Sequence, residues 1–224
     1  MSITTVLFDL DGTLVDSSQG FIRAINKTLA EYDQYPMDDD SIRELISAGA
    51  RTVIRQAWAE DISPERIEQI RDSYIAEYRQ YPELGAEVFP GILDWLMQAR
   101  QQGIKTGVVT NKPQSLATPI LAALSLTEYL DIVICPDHVK AVKPDPEGIL
   151  MAMGKLQALP ENTLYCGDHS KDIAAATAAG VQSLACGYGF YPSEENFYDW
   201  PASYHAETSE QVAHILTKLC DMTR

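Results

Sequence analysis

From Pro90 onward the chain alternates between short apolar runs and stretches of helical spacing, and this rhythm most constrains its fold. The runs Ile104–Val109, Ile132–Cys135, Thr163–Cys166 and Gln182–Ala185 read as strands. Between them lie helices carrying Leu116, Ile120, Leu121 and Leu124, then a helix from about Pro146 to Leu159, then one from about Lys171 to Ala179 that stops at Gly180. Strand and helix in alternation imply a parallel sheet with helices on both faces, an α/β Rossmann-like arrangement. Residues 3–8 supply one more strand, and it ends abruptly in Asp9-Leu10-Asp11-Gly12-Thr13.

Between that first strand and Pro90 the pattern is helical throughout. Phe21, Ile22, Ile25, Leu29 and Tyr32 share one helix face, with Ser17 or Ser18 as its cap. Ile42, Leu45 and Ile46 mark a second helix after Asp38-Asp39-Asp40, and Val53, Ile54, Ala57 and Trp58 a third opened by Gly49. Ile67, Ile70, Tyr74 and Tyr78 mark a fourth, opened by Ser63-Pro64. The economical division is a core of residues 1–14 and 89–224 with an all-helical domain, 15–88, inserted after the first strand.

Composition narrows the function classes. A formal net charge of −15, from 32 acidic and 17 basic residues, argues against nucleic acid, because neutralising phosphates needs basic surface. No apolar run approaches the roughly 20 residues of a membrane span. The N-terminus has no basic segment leading to a cleavage site, so a cytoplasmic protein is expected. The four cysteines are widely spaced and read as buried, reduced thiols. No signal of association state is present.

In a parallel sheet all strand ends point one way, so the polar residues after each strand gather on one edge. Here they are Asp9 and Asp11, Thr110 and Asn111, Lys143, and Asp168 with Asp172. Carboxylates suit a hard divalent cation such as Mg2+, and Thr110, Asn111 and Lys143 supply the donors and positive charge a phosphate requires. Gly12 would let backbone amides approach that phosphate, and Asp172 would orient Lys143 or a metal-bound water.

The pieces Asp9-Leu10-Asp11-Gly12-Thr13, Thr110-Asn111, Lys143-Pro144-Asp145-Pro146 and Gly167-Asp168 with Asp172 resemble, in order and spacing, the four motifs of the haloacid dehalogenase-like hydrolase superfamily. The resemblance covers essentially the whole chain and makes the helical insert a substrate-selecting cap whose closure excludes water. It implies that Asp9 is the nucleophile and forms an aspartyl-phosphate, and that Asp11 is the acid and then the base. It implies Mg2+ on Asp9, the Asp11 carbonyl and Asp168, with Thr110, Asn111 and Lys143 on the phosphate. His169 needs no role in that scheme.

Residues 15–88 hold no histidine and one lysine, Lys27, which does not match phosphonatase-like or sugar-phosphate-mutase members of the superfamily. Asp11 likewise does not match true dehalogenases. The expected reaction is Mg2+-dependent hydrolysis of a small phosphorylated metabolite, most like the phosphoglycolate phosphatase group. The Ser47–Arg51 loop, Val109–Pro113, Ile134–Lys140 and Gly187-Tyr188-Gly189 also resemble N-acetylmuramic acid 6-phosphate phosphatases. Residues 46–51 are the candidate specificity loop, with Arg51 as its substrate-binding side chain. The competing class is a non-catalytic phosphometabolite sensor on the same fold.

Overall fold

A computed structural model of the protein describes residues 2–46, 49–58 and 62–222. Its contacts divide the chain into two compact units, one of residues 1–16, 87–189 and 196–224, the other of 17–86 and 190–195.

The first unit is built on strands β1 (Thr5–Phe8), β2 (Val15–Asp16), β3 (Glu87–Val88), β4 (Lys105–Val109), β5 (Ile132–Ile134), β6 (Thr163–Gly167), β7 (Gln182–Cys186) and β8 (Tyr204–Ala206). Six of them form one sheet in the order β5-β4-β1-β6-β7-β8, and every neighbouring pair is parallel. β1 lies between two strands, so both its edges are paired, and Val6, Leu7 and Phe8 have no exposed surface. A core of Leu7, Val109, Ile134, Ile149, Met153 and Tyr165 packs on one face. The short ribbon of β2 and β3 is antiparallel and marks where the chain leaves and re-enters this unit. Neither ribbon strand nor β8 has an apolar run long enough to announce it in sequence.

The register sets up the edge. Phe8 pairs with Val108 on one side and Cys166 on the other. Asp9, Thr110 and Asp168 therefore emerge at neighbouring strand ends, where the sheet order reverses direction about β1. Helices α5 (Ile92–Gln101), α6 (Gln114–Ala123), α7 (Glu147–Leu156), α8 (Ser170–Ala179) and α9 (Ser209–Leu219) complete the unit. α8 ends at Gly180 as expected, in the left-handed conformation. α7 stops at Leu156, because Gln157 takes a left-handed conformation and closes it early. All four cysteines are free and buried.

The second unit carries α1 (Ser18–Glu31), α2 (Asp39–Leu45), α3 (Ala50–Ala57) and α4 (Pro64–Gln80). Ile22, Ile25, Leu29, Ile42, Val53, Ile54, Ile67 and Ile70 form its core. Asp38 and Ser63 cap their helices, accepting the N–H of Ser41 and Arg66. Ser17 stands at the start of α1 without a capping side-chain bond. An apolar cavity of about 230 Å³ lies among Phe21, Ile25, Ile42, Ile46, Val53 and Tyr74. In the candidate specificity loop, Ser47 and Ala48 lie outside the described residues. No helix among the described residues is long and apolar enough to cross a membrane.

Candidate active site

The site is best assembled from β1 outward. The strand ends at Asp9, whose Oδ1 accepts the Leu10 N–H at 2.7 Å and the Lys143 ammonium at 2.8 Å. Its Oδ2 has no hydrogen-bond partner among the described residues. One oxygen is thus held while the other stays available. Gly12 turns the chain with φ of 82°, which favours glycine. Its N–H donates to the Val15 carbonyl at 2.9 Å, so that amide serves the turn, and the phosphate-facing role expected of it has a competing partner.

Lys143 is buried, and its Nζ is held by Asp9, by Asp172 Oδ1 at 2.6 Å and by Tyr165 Oη at 2.8 Å. The Tyr165 hydroxyl, rising from β6, donates to the Val109 carbonyl at 2.7 Å. Burial alone would lower the Lys143 pKa, but Asp172 and Asp9 outweigh it and the net shift is upward. Burial pushes Asp9 up to about 6, against the pull of Lys143 and with the help of Asp172 and Asp11.

Asp172 is fixed on both oxygens, by Lys143 and by the His169 N–H at 3.1 Å. The His169 ring caps α8, its Nδ1 accepting the Lys171 N–H at 3.2 Å. That ring nitrogen is therefore engaged at the start of α8. Asp168 accepts the Thr13 hydroxyl at 2.8 Å, and Gly189 packs so tightly that a Cβ there would lie 2.3 Å from the Asp168 Cβ. Tyr188 ties the same turn by donating to the Thr13 carbonyl at 2.8 Å.

Thr110 is buried at the end of β4, and its Oγ1 accepts the Lys112 N–H at 3.1 Å. Asn111 uses both ends of its amide on the Lys143 main chain, at 3.0 and 3.1 Å. In this structure it orients the loop that carries Lys143. The Asp11 carboxylate is not part of the Asp9, Asp168 and Asp172 group and pairs instead with Lys112 Nζ at 2.9 Å. Arg51 belongs to the helical unit, where Glu68 takes its guanidinium bidentately.

Lys112, Tyr165, Thr13 and Tyr188 are contributors that sequence reasoning did not assign. Lys112 had a signal, since it follows Thr110-Asn111 directly at a strand end. Tyr165 had none, because an aromatic in a buried strand reads as core, while Tyr188 stands in the Gly187-Tyr188-Gly189 stretch after β7 without an assigned role.

One oxygen from each of Asp9, Asp168 and Asp172 lies within 4.8 Å of the others, an oxygen donor set suited to a hard divalent cation. Four aspartates face two lysines across the whole edge, a formal excess of two negative charges. An anion would be repelled there unless a cation of that charge were bound.

Similarity to known proteins agrees with this edge. Residues 6–186 match the family described as haloacid dehalogenase-like hydrolase. The N-acetylmuramic acid 6-phosphate phosphatases of Pseudomonas aeruginosa and Pseudomonas putida are 32% and 37% identical, covering 99% and 98% of this chain and 98% and 99% of their own. Phosphoglycolate phosphatase 1 of Pseudomonas aeruginosa is 35% identical over 83% of this chain and 70% of its own. Among solved structures, CbbY from Rhodobacter sphaeroides in complex with phosphate superposes with a TM-score of 0.73 at 25% identity, over 94% of this chain and 96% of its own. A match over most of the chain, with the carboxylate cluster at the expected strand ends, places the protein in the haloacid dehalogenase-like hydrolase family, as a phosphoric monoester hydrolase.

Proposed function

We propose that the protein is a Mg2+-dependent phosphatase acting on a small phosphorylated metabolite through an aspartyl-phosphate on Asp9. The observation that carries this reading is Asp9 itself, with one oxygen held by Lys143 and Leu10 and the other unpartnered among the described residues. A nucleophile needs a fixed carboxylate with one accessible oxygen. Asp9 attacks phosphorus as the ester P–O bond breaks, and Asp11 gives its proton to the departing alcohol oxygen. Asp11 then takes a proton from water as that water attacks phosphorus. The Asp9–O–P bond breaks, phosphate leaves, and both aspartates return to their starting forms.

Asp9, Asp168 and the Asp11 carbonyl would hold Mg2+, whose charge offsets that of the transferring phosphoryl group. Lys143 and Thr110 bind the phosphoryl oxygens, and Asn111 keeps Lys143 in place. Asp172 in turn orients the Lys143 ammonium. Arg51 contributes to substrate selection in exchange for its pair with Glu68.

For the substrate, the end-to-end match to two N-acetylmuramic acid 6-phosphate phosphatases supports a phosphorylated amino-sugar acid. 2-Phosphoglycolate, which the sequence reading puts first, is supported by relatives matched over a smaller share of both chains. The test is a panel of N-acetylmuramic acid 6-phosphate, 2-phosphoglycolate and hexose phosphates, with Mg2+ and with EDTA. The amino-sugar reading expects the highest kcat/KM on the first compound, and EDTA should abolish turnover of all of them. A clear preference for 2-phosphoglycolate would replace it, and turnover unaffected by EDTA would overturn the metal requirement. No turnover of any phosphate monoester would favour the sensor reading.

A further inference from the structure

Lys112 is 7% exposed, yet the reaction as written gives it no task. A lysine that deep is rarely without a partner of opposite charge. Its Nζ lies 2.9 Å from Asp11 Oδ1 and 3.2 Å from Oδ2, so a single ammonium straddles the carboxyl group. Its main-chain N–H meanwhile holds the Thr110 hydroxyl oxygen. Residue 112 therefore fixes Asp11 through its side chain and Thr110 through its backbone. The two buried lysines of this edge divide the aspartates between them, with Lys143 on Asp9 and Asp172 and Lys112 on Asp11.

An ammonium donates hydrogen bonds and accepts none. Against a carboxylate it can meet both oxygens. Against a protonated carboxyl it can meet only the oxygen that carries no hydrogen. A lysine fixed beside Asp11 thus restrains rotation of the carboxyl group and holds it in one orientation. We propose that Lys112 is a positioning residue for the proton transfers of Asp11, and that it acts on the leaving-group step without gripping the phosphate. The inference rests on the reading of Asp11 as the acid and base of the reaction.

Leaving-group dependence tests it. A phenolate departs readily without a proton, whereas an alkoxide does not, so general-acid catalysis, worth roughly 10²–10⁴-fold, shows mainly on alkyl esters. kcat and KM are measured for p-nitrophenyl phosphate and for whichever of N-acetylmuramic acid 6-phosphate and 2-phosphoglycolate the wild type turns over. Lys112→Met should lose about tenfold more kcat/KM, which ends at departure of the leaving group, on the alkyl ester than on the aryl ester. Lys112→Arg should recover most of the alkyl rate. In an Asp11→Asn background, Lys112→Met should cost nothing further, because both changes remove the same transfer. Melting curves establish which variants fold, and Lys112→Gln replaces Lys112→Met if the latter does not.

Equal losses of kcat/KM on both esters would overturn the proposal and make Lys112 a structural or substrate-gripping residue. If Asp11→Asn itself lowered kcat/KM equally on both esters, the acid reading of Asp11 would fail, and the inference with it. Leaving-group dependence in Asp11→Asn but not in Lys112→Met would sink the inference alone.

Discussion

Each unit of the molecule buries one ion between two opposite charges, and the two clusters differ instructively. In the core unit Lys143 sits between Asp9 and Asp172, and all three side chains are largely buried. In the helical unit Glu77 sits between Arg23, at 2.6 Å, and Lys27, at 2.7 Å, and the Lys27 side chain is half exposed. Water shares the charge of the second cluster, so it is a stable ion pair that joins α1 to α4. The first cluster is shut away from water, and burial, helped by Asp172 and Asp11 and opposed by Lys143, pushes Asp9 up to about 6. A buried ion alone does not mark a site. A buried ion whose partners are also buried, with an excess of one sign around it, does.

The largest test of that contrast is Asp9→Asn, which should cost at least ~10⁴-fold in kcat while leaving the fold intact, read by steady-state kinetics and circular dichroism. Asp172→Asn comes next, because it loosens Lys143 without touching the nucleophile. It should cost about 10–100-fold in activity, the range for residues that orient others at a metal site. Restored activity at high Mg2+ would show that its effect runs through the metal.

Glu77→Gln should leave kcat unchanged and destabilise the protein by about 1–2 kcal/mol in a urea melt, discounted for the exposure of Lys27. Its pH dependence has a definite sign. The Lys27 hydrogen bond, against the cost of burial and with the help of Arg23, holds the Glu77 carboxyl below its ordinary value. The stabilisation is present above the ordinary value of 4.5 and is lost as pH falls through the lower folded value. The gap between wild type and Glu77→Gln should therefore close in acid. The smallest effect expected is that of Arg51→Ala, about a tenfold rise in KM for the natural substrate, near 1.4 kcal/mol, with p-nitrophenyl phosphate unaffected.

The core edge was legible because its information is local. A short apolar run followed at once by a polar residue places that residue at a strand end, and a parallel sheet brings such ends together. Asp9, Thr110 and Asp168 could be read this way, and Lys143 and Asp172 came from the order and spacing of the motifs. The direction of a long side chain could not. Lys112 reaches Asp11 across 101 residues of sequence, and Asn111 turns both ends of its amide to the Lys143 backbone. Tyr165 looks like any core aromatic until its hydroxyl is seen between Lys143 and Val109. In the helical unit, helix periodicity located the elements, but the pairing of Arg51 with Glu68 depends on how α3 meets α4, which periodicity does not encode.

The central claim is that Asp9 becomes covalently phosphorylated. The direct measurement is a rapid acid quench during turnover of a substrate radiolabelled in its phosphate, followed by digestion and peptide mapping. The account predicts a transient label on the peptide containing Asp9, stable in acid, released by hydroxylamine, and absent from Asp9→Asn. Full turnover with no labelled protein at any quench time, together with an active Asp9→Asn variant, would contradict it.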